Sequence, residues 1–489
     1  TLIISFIIRY ELSFDTFHSN SDRIYRVVRV SQVEGETEYR TGTAWPLSPT
    51  IADEIATLEH MTYMTYWGNV QVDIMEQDGK SKVSFNEPTG GAFVSEAFFD
   101  IFDYKLAGVE WLYGDPDIAL TKPNSVVLTA SLATKYFGDK VPMGKSLNIN
   151  QRLDVIVTGV ISDLPANSNF PFTLISSYST LIPHLGDWLM TSWGSVSDSH
   201  QTYIILPEGM KKEEMEAQIA RIHLKYAGEE LEAMRTYALQ SRSEVHRDER
   251  FGNYQYKFTS MKNIVVLALV GSFLLIMVCI NFINISIASS VSRSKEIGLR
   301  KVIGGSRRQI VFQFLFETFI MIIIGTFIAV LVIEGIKPEL QHLFGFHVEG
   351  LFISHPFVLG LILIVAILLT IFAGLYPALQ QSGYTPAVTI QQSISSRIGR
   401  RLRMSNALVL LQFTITLILV TSTFIILQQI QFFKSVDIGF EKEAIININL
   451  PDDHNASSLS ALRNQFLLNP HIGNISYSST IPSGLICVM

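Results

Sequence analysis

The segment of this 489-residue chain that most resembles a reactive site is a glycine-containing one, residues 138–146 (GDKVPMGKS). In a phosphate-binding loop, four residues separate the two glycines, so that backbone N–H groups surround the phosphates. Here five residues separate Gly138 from Gly144, and Pro142, which has no N–H group, lies between them. The spacing argues against a nucleotide site, and we expect no ATP hydrolysis by this chain alone.

The sequence also gives no indication of a metal site or of a catalytic nucleophile. A zinc site needs closely spaced ligands, and the Gly-x-Ser-x-Gly pattern of a nucleophilic serine is absent. The cysteines, Cys279 and Cys487, build no disulfide framework. We therefore predict no catalytic residue, no metal and no cofactor, and we interpret the scattered histidines as surface or core residues: His18, His60, His184, His200, His223 and His246.

A short basic segment, residues 291–310 (VSRSKEIGLRKVIGGSRRQI), lies between two long apolar stretches. It holds six Lys or Arg residues and one acid, and such a bias predicts a cytoplasmic location. On a helix over residues 295–303, Leu299, Val302 and Ile303 share one face and Ile297 points nearly opposite. A helix that is apolar on two sides suits an element held between the membrane and the groove of a partner. The alternative is a plain basic loop at the interface.

Four apolar stretches are long enough to cross a bilayer, which takes about 20 helical residues: 264–290, 310–336, 357–379 and 406–433. Residues 1–8 (TLIISFII) resemble the last turns of a further span, so we interpret the chain as part of something longer. The basic segment and the basic linker 380–405 are then cytoplasmic. Neither is large enough to fold as a catalytic domain, which takes roughly 40 residues or more.

Polar groups within the spans are the remaining candidates, because an ionisable side chain in lipid usually faces a partner or a cavity. Glu317 is the acid well inside a span, and Asn281 and Asn284 lie near the inner end of the preceding one. We expect Glu317 to hydrogen-bond to another helix near the interface. A proton or ion pathway is the alternative.

Charge separates the two halves of the chain. Residues 11–261 hold 34 acids and 21 bases, whereas residues 262–489 hold 15 bases and 10 acids. The large acidic segment is therefore predicted to lie outside, and we expect no nucleic-acid partner.

The acidic segment indicates mixed α and β structure. The sequence predicts a strand over 23–33, hairpins over 72–85 (around Asp78 and Gly79) and 147–161, and a strand over 125–128 followed by a helix over 130–137. An amphipathic helix is predicted over 211–226, with Met215, Ile219, Ile222 and Leu224 facing a sheet. The Ser, Asn and Pro residues of 163–171 suggest a boundary between two lobes.

Five motifs in the chain resemble the FtsX-like, MacB-like permeases of ABC transporters, in particular the long form with two external domains. They are residues 10–27 (YELSFDTFHSNSDRIYRV), 92–108 (AFVSEAFFDIFDYKLAG), 119–147 (ALTKPNSVVLTASLATKYFGDKVPMGKSL), 295–304 (KEIGLRKVIG) and 374–390 (GLYPALQQSGYTPAVTI). The resemblance implies an α-helical integral membrane protein with a large α+β extracytoplasmic domain, the MacB-like periplasmic core.

The resemblance also implies how the chain divides. The expected parts are the end of membrane helix one (1–9), the core domain (10–261), helix two (262–291), a cytoplasmic coupling loop (292–309), helix three (310–336), an external loop (337–356), helix four (357–379), a cytoplasmic linker (380–405), helix five (406–433) and the start of a second, truncated external domain (434–489).

What the resemblance implies for function is a permease subunit of the bacterial inner membrane that couples ATP hydrolysis by a separate ATPase to movement of the external domain, for export, efflux or lipoprotein release. The implied partners are the ATPase, which would bind the ATP, a second permease copy or paralogue, membrane lipid and a periplasmic adaptor. The implied ATPase-coupling residues are Lys295, Glu296, Ile297, Gly298, Leu299, Arg300, Lys301, Ile303 and Gly304.

Two other functions stay open at this point. A signalling or regulatory subunit that controls an envelope enzyme or senses peptides would use the same architecture. A membrane-anchored external enzyme would require a catalytic cluster, which the sequence does not offer. A neighbouring ATPase gene would favour the permease, and a neighbouring histidine kinase or hydrolase gene would favour signalling.

Overall fold

A computed structural model describes residues 1–75, 82–254, 258–344, 356–383, 395–436, 446, 448 and 456–478. The chain divides into two compact units. The helical unit comprises Thr1–Leu12 and Met261–Glu441, and the external domain comprises Ser13–Ser260 and Lys442–Met489.

A mixed sheet is the framework of the external domain. Its thirteen described strands are β1 (Ile24–Val33), β2 (Glu36–Arg40), β3 (Met61–Trp67), β4 (Val70–Met75), β5 (Lys82–Glu87), β6 (Gly91–Val94), β7 (Trp111–Tyr113), β8 (Ser125–Thr129), β9 (Ser146–Ile149), β10 (Leu153–Ile161), β11 (Leu174–Ser177), β12 (His200–Ile205) and β13 (Arg235–Ser241). They run in the order β13-β1-β12-β3-β6-β11-β8-β10-β9-β4-β5, with β2 paired to β1 and β7 paired to β10.

The strands predicted from β-branched and alternating residues are confirmed. Strands β4 and β5 pair antiparallel, as do β9 and β10, so both predicted hairpins form. Asp78 and Gly79, the predicted turn of the first hairpin, lie outside the described residues. The helix predicted after β8 is also present.

Short helices complete the external domain: α2 (Leu47–Glu54), α3 (Phe98–Ile101), α4 (Ala130–Phe137), α5 (Ile182–Leu185), α6 (Asp187–Thr191), α7 (Lys212–Ala227), α8 (Glu229–Met234) and α14 (Ala456–Leu467). The predicted amphipathic helix is α7, and its Met215, Ile219 and Ile222 are buried. The prediction for Leu224 is wrong, because that side chain is 44% exposed. His223, four residues after Ile219 and thus on the buried face, occupies the place instead.

The predicted lobe boundary at residues 163–171 is also wrong. This segment connects β10 to β11, and both of those strands pair with β8 in the same part of the sheet. Phe170 belongs to the core, and Ser168 and Asn169 bond to the buried Asp15. The polar residues of this segment form a buried hydrogen-bond network instead of a solvent-exposed linker. A local sequence pattern does not distinguish the two, because Asp15 is distant in the sequence.

The helical unit contains α1 (Leu2–Leu12), α9 (Met261–Val302), α10 (Arg307–Phe344), α11 (Pro356–Leu369), a π-helical turn (Thr370–Gly374), α12 (Leu375–Ser382) and α13 (Ser395–Ser435). Four stretches of these helices are long and apolar enough to cross a membrane: Met261–Ser286, Arg307–Leu340, Pro356–Leu379 and Val409–Ser435. The fold class inferred from the sequence, a helical membrane protein with a large α+β domain, is confirmed.

The helices extend further than the predicted spans. Helix α9 continues through most of the basic segment, and α10 continues into the predicted external loop as far as Phe344. Residues 345–355 of that loop and residues 384–394 of the predicted linker lie outside the described part of the chain.

Candidate functional site

The turn between α9 and α10 is built by two capping motifs that lie back to back. Gly304 has φ of 99°, and its N–H donates to Lys301 O at 3.1 Å while the Gly305 N–H donates to Arg300 O at 2.9 Å. This pair of bonds is a Schellman motif, in which glycine takes the left-handed position that ends the helix. The predicted coupling residue Gly304 therefore terminates α9.

The next helix begins with a capping box. The Gln309 N–H donates to Ser306 Oγ at 3.3 Å, and the Ser306 N–H donates to Gln309 Oε1 at 3.0 Å. Each side chain satisfies a backbone donor that the helix start leaves unpaired. The sequence GGSRRQ thus encodes a sharp, well-defined turn between the two long helices.

The last turns of α9 are apolar on two sides, as their helical spacing predicted. Ile297 is 5% exposed, and Gly298 is buried beside it. Leu299, Val302 and Ile303 are 62%, 65% and 78% exposed. We call these three exposed side chains the apolar face. Ile297 points to the opposite side of the helix and is buried.

Arg300 connects α9 to α10 through side chains. It donates to Glu296 Oε1, one turn earlier on α9, at 2.5 Å, and to Gln313 Oε1 on α10 at 2.6 Å. The Gln313 amide then donates to Glu317 Oε1 at 3.1 Å. Glu296, Arg300, Gln313 and Glu317 therefore form a continuous polar chain, which we call the relay.

Lys301 and Arg307 make a second connection, to the end of α12. Lys301 Nζ donates to the carbonyl oxygen of Ser382 at 2.5 Å, and Arg307 Nε lies 3.3 Å from Ser382 Oγ. Ser382 is buried and is the last residue of α12. Cations at this position satisfy carbonyls that the helix end leaves unpaired and oppose the negative end of the helix dipole.

The structure thus brings together most of the residues singled out in the sequence. Glu317 bonds to Gln313 on its own helix and reaches Arg300 of the preceding helix through it. Lys295 lies within α9. Asn281 is exposed on the same helix and Asn284 is half-buried, more than one turn before the relay.

Gln313 and Ser382 were missed in the sequence. Gln313 is marked only by its position, four residues before Glu317, a spacing that places two side chains on one helix face. Ser382 follows the third apolar stretch, and its contact with Lys301 spans 81 residues, so no local pattern predicts it.

The motifs that suggested enzymatic chemistry have structural roles. The Gly144 N–H donates to Val157 O at 2.8 Å, so it is occupied in joining the loop to β10. Gly138 ends α4. Among the described residues, no group of three His, Cys, Asp or Glu side chains could hold a metal ion.

Two of the buried histidines, His200 and His18, are held as neutral rings. His200 lies between Thr65 Oγ1, 3.1 Å from its Nδ1, and Ser48 Oγ, 3.3 Å from its Nε2, and burial lowers its pKa to about 3. Burial, with a contribution from the nearby Arg242, lowers the pKa of His18 to about 3. His223 bonds to Glu232, and His246 stacks on Phe14. Neither His200 nor His18 can act as an acid or base near neutral pH.

Two family models match the chain. Residues 1–222 match the MacB-like periplasmic core domain, and residues 267–386 match the FtsX-like permease C-terminal region. The second match includes the whole relay, the apolar face and Ser382.

Individual proteins are similar over shorter stretches. An uncharacterized ABC transporter permease, YvrN of Bacillus subtilis, is 36% identical over 21% of this chain and 24% of its own. The macrolide export ATP-binding/permease protein MacB of Chlorobaculum tepidum is 32% identical over 22% of this chain and 16% of its own. The chain therefore matches less than a quarter of the length of either relative.

A solved structure, the periplasmic region of MacB from Actinobacillus actinomycetemcomitans, aligns with 50% of this chain and 95% of its own, at 17% identity and a TM-score of 0.32. The two family matches, which together take in most of the external domain and most of the first three of the four candidate spans, confirm the resemblance noted in the sequence. The chain belongs to the MacB-like, FtsX-like permeases of ABC transporters and is a multi-pass inner-membrane protein with a periplasmic domain.

Proposed function

We propose that this permease is driven by a separate ATPase subunit that binds the turn between α9 and α10. In this proposal the nucleotide-dependent movement of the ATPase passes through the helices to the external domain, for export, efflux or lipoprotein release. ATP is bound by the partner, and the permease itself contributes no catalytic residue. A second permease copy, lipid and a periplasmic adaptor complete the proposed assembly.

The observation that carries the proposal is the apolar face. Leu299, Val302 and Ile303 lie on a basic helix end that the charge bias places in the cytoplasm. Contiguous apolar groups exposed at a polar end are typical of an interaction site. Helix ends of this kind bind by inserting their apolar residues into a groove of the partner.

The capped turn is suited to transmitting force. Its glycine and capping-box bonds define the path between α9 and α10, and the relay and Ser382 join that turn to two spans. Coupling between distant sites requires an element with two arrangements that both sites bias. A rigid turn fixed to α10 and α12 would make the helices move together instead of bending locally.

The names of the relatives bear on where the ATPase lies. The relative from Chlorobaculum tepidum is named an ATP-binding/permease protein, whereas the Bacillus subtilis relative is named a permease. We propose a separate ATPase chain, as the name of the Bacillus subtilis relative suggests for a permease. The described turn between α9 and α10 is itself too short to fold as an ATPase domain.

The test is reconstitution of the permease with its ATPase in lipid. The chain alone is expected to turn over no ATP, and the pair to couple turnover to external-domain movement. Leu299→Ser with Ile303→Ser should weaken binding of the ATPase by about tenfold or more, since each removes apolar area from a contact. Gly298→Pro should uncouple the pair, because proline inside a helix costs about 3 kcal/mol.

Ile118→Ser is the matched control, because Ile118 is 66% exposed but belongs to the external domain. It should bind the ATPase like the parent. ATP turnover by the purified chain alone, or unchanged binding and coupling in a normally inserted Gly298→Pro protein, would contradict the proposal.

A further inference from the structure

Two adjacent cations at the end of α9 bond to two different helices. Arg300 donates to Gln313 on α10, and Lys301 donates to the end of α12 at Ser382. Successive residues of a helix project about 100° apart. The two bonds therefore act on different sides of the same helix end, and together they oppose its rotation about its own axis.

Rotation matters because the apolar face occupies only one side of α9. With one bond, only the capped turn and that single contact oppose rotation of the helix end. With both bonds, the direction in which Leu299, Val302 and Ile303 point is fixed relative to α10 and α12. The bond from Arg300 depends on Gln313, which lies on the exposed surface of α10 and is itself bonded to Glu317.

We propose that Gln313, supported by Glu317, is a positioning residue that fixes the orientation of the apolar face; this inference rests on the function proposed above. The amide is suited to this task because its oxygen accepts from a guanidinium while its nitrogen donates to a carboxylate. Bonds to charged partners are roughly twice as strong as neutral ones. An apolar residue at this position would leave Arg300 joined to Glu296 within α9 alone.

The chemistry of the relay provides a test by exchange. Gln313→Leu removes both bonds of the amide. The double variant Gln313→Glu with Glu317→Gln preserves them in reversed form, because a carboxylate would accept from Arg300 and also from the new amide. The exchange leaves the net charge and the sizes of the side chains nearly unchanged. Any difference between Gln313→Leu and the exchanged pair is therefore due to the hydrogen bonds.

The first measurement is a spin-label distance in the full chain, reconstituted in lipid without the ATPase. Labels at Val302→Cys and Leu379→Cys, in a protein whose Cys279 and Cys487 are replaced by serine, report the position of the apolar face relative to α12. We expect one narrow distance distribution in the parent, a broad one in Gln313→Leu, and a narrow one again in the exchanged pair. Gln428→Leu on α13 is the matched control and should stay narrow.

The second measurement is binding and ATP turnover with the ATPase, using unlabelled proteins. Gln313→Leu should weaken association by about 3- to 10-fold, the effect of losing one ordinary hydrogen bond, because the contact between Arg300 and Gln313 is exposed to solvent. The KM for ATP should stay unchanged, and the exchanged pair should recover the affinity of the parent.

The outcomes separate the two proposals. If the parent fails to bind any ATPase but the distances behave as expected, the positioning role stands and the proposed function fails. If the parent couples normally and Gln313→Leu keeps a narrow distance, or the exchanged pair stays as broad as Gln313→Leu, the positioning role is wrong and the proposed function is unaffected.

Discussion

At the scale of single residues, the external domain buries several polar and charged side chains next to one another. Arg242 lies 2.8 Å from Asp15, both side chains are fully buried, and the guanidinium packs over Phe170. His200 stacks on Trp45 and uses both ring nitrogens toward hydroxyl groups. Removing one member of such a group is costly, because the other stays buried without a partner.

The neutral His200 predicts a dependence of stability on pH. An unfolded histidine takes up a proton near pH 6.5, whereas burial lowers the pKa of His200 to about 3 in the folded protein. Between these values the unfolded state binds more protons, so stability falls as the pH falls from 6.5 toward 3. The contribution of His200 to that slope is about 1 kcal/mol per pH unit.

The pH dependence can be measured by urea unfolding followed by tryptophan fluorescence, because all five tryptophans lie in the external domain. His200→Phe should lower stability at pH 7 and flatten the dependence between pH 5 and pH 6.5. Thr65→Val, which removes a hydroxyl but keeps the histidine, should lower stability without flattening it. Equal slopes in His200→Phe and the parent would exclude His200 as a source of the effect.

At the scale of elements, the second and third candidate spans meet at a closely packed π-helical turn. Gly374 ends this turn, and a Cβ atom there would lie 3.2 Å from Leu315 Cδ2 and 3.2 Å from Thr318 Cγ2. Thr318 is buried and bonds to Phe314 O of its own helix. Gly374 therefore lets α10 approach the backbone of the third candidate span closely, as small residues do between membrane helices.

We expect Gly374→Ala to destabilise the helical unit by about 1–3 kcal/mol, the usual cost of overpacking. Gly360→Ala is the matched control in the same span, because a Cβ atom there meets nothing within 4 Å. It should be neutral or slightly stabilising, since alanine is the better helix former. Unfolding of the helical unit can be followed during heating by the reaction of Cys279 with a thiol-reactive dye, in a protein whose Cys487 is replaced by serine. If Gly374→Ala and Gly360→Ala unfold at the same temperature, the packing at Gly374 is not tight.

At the scale of the whole molecule, the distribution of charge predicts the direction of insertion. The basic residues around the α9–α10 turn favour the cytoplasm, and the acidic external domain favours the periplasm. The turn and the domain are then on opposite sides of the membrane, as the proposed function requires.

A single cysteine at Ser306 or Ser396 should react with a membrane-impermeant reagent only after the cells are permeabilised. A cysteine at Lys140, or at Gly79 or Gly350, which lie outside the described residues, should react in intact cells. The background for these variants is a protein with Cys279 and Cys487 replaced by serine. Labelling of Ser306→Cys in intact cells would reverse the predicted topology and contradict the proposed ATPase-binding site.

Much of the secondary structure could be predicted because its cause is local. Alternating β-branched residues specify β1 and the hairpins, and uninterrupted apolar length specifies the spans. The two-sided character of the end of α9 follows from helical spacing alone, and Ile297 and Leu299 are buried and exposed accordingly. The residues of the capping motifs, Gly304 and Ser306, are likewise local signals.

What the sequence by itself determined is therefore the kind of each element, the charge of each connecting segment and the family. The tertiary structure decided which residues meet: Lys301 with Ser382, Arg300 with Gln313, Asp15 with Arg242, and His223 in place of Leu224 on the buried face of α7. These contacts depend on how helices and strands pack, and the contact between Asp15 and Arg242 joins residues more than two hundred positions apart in the sequence. The packing free energy that selects them is a sum over many distant groups, and no short pattern along the chain contains it.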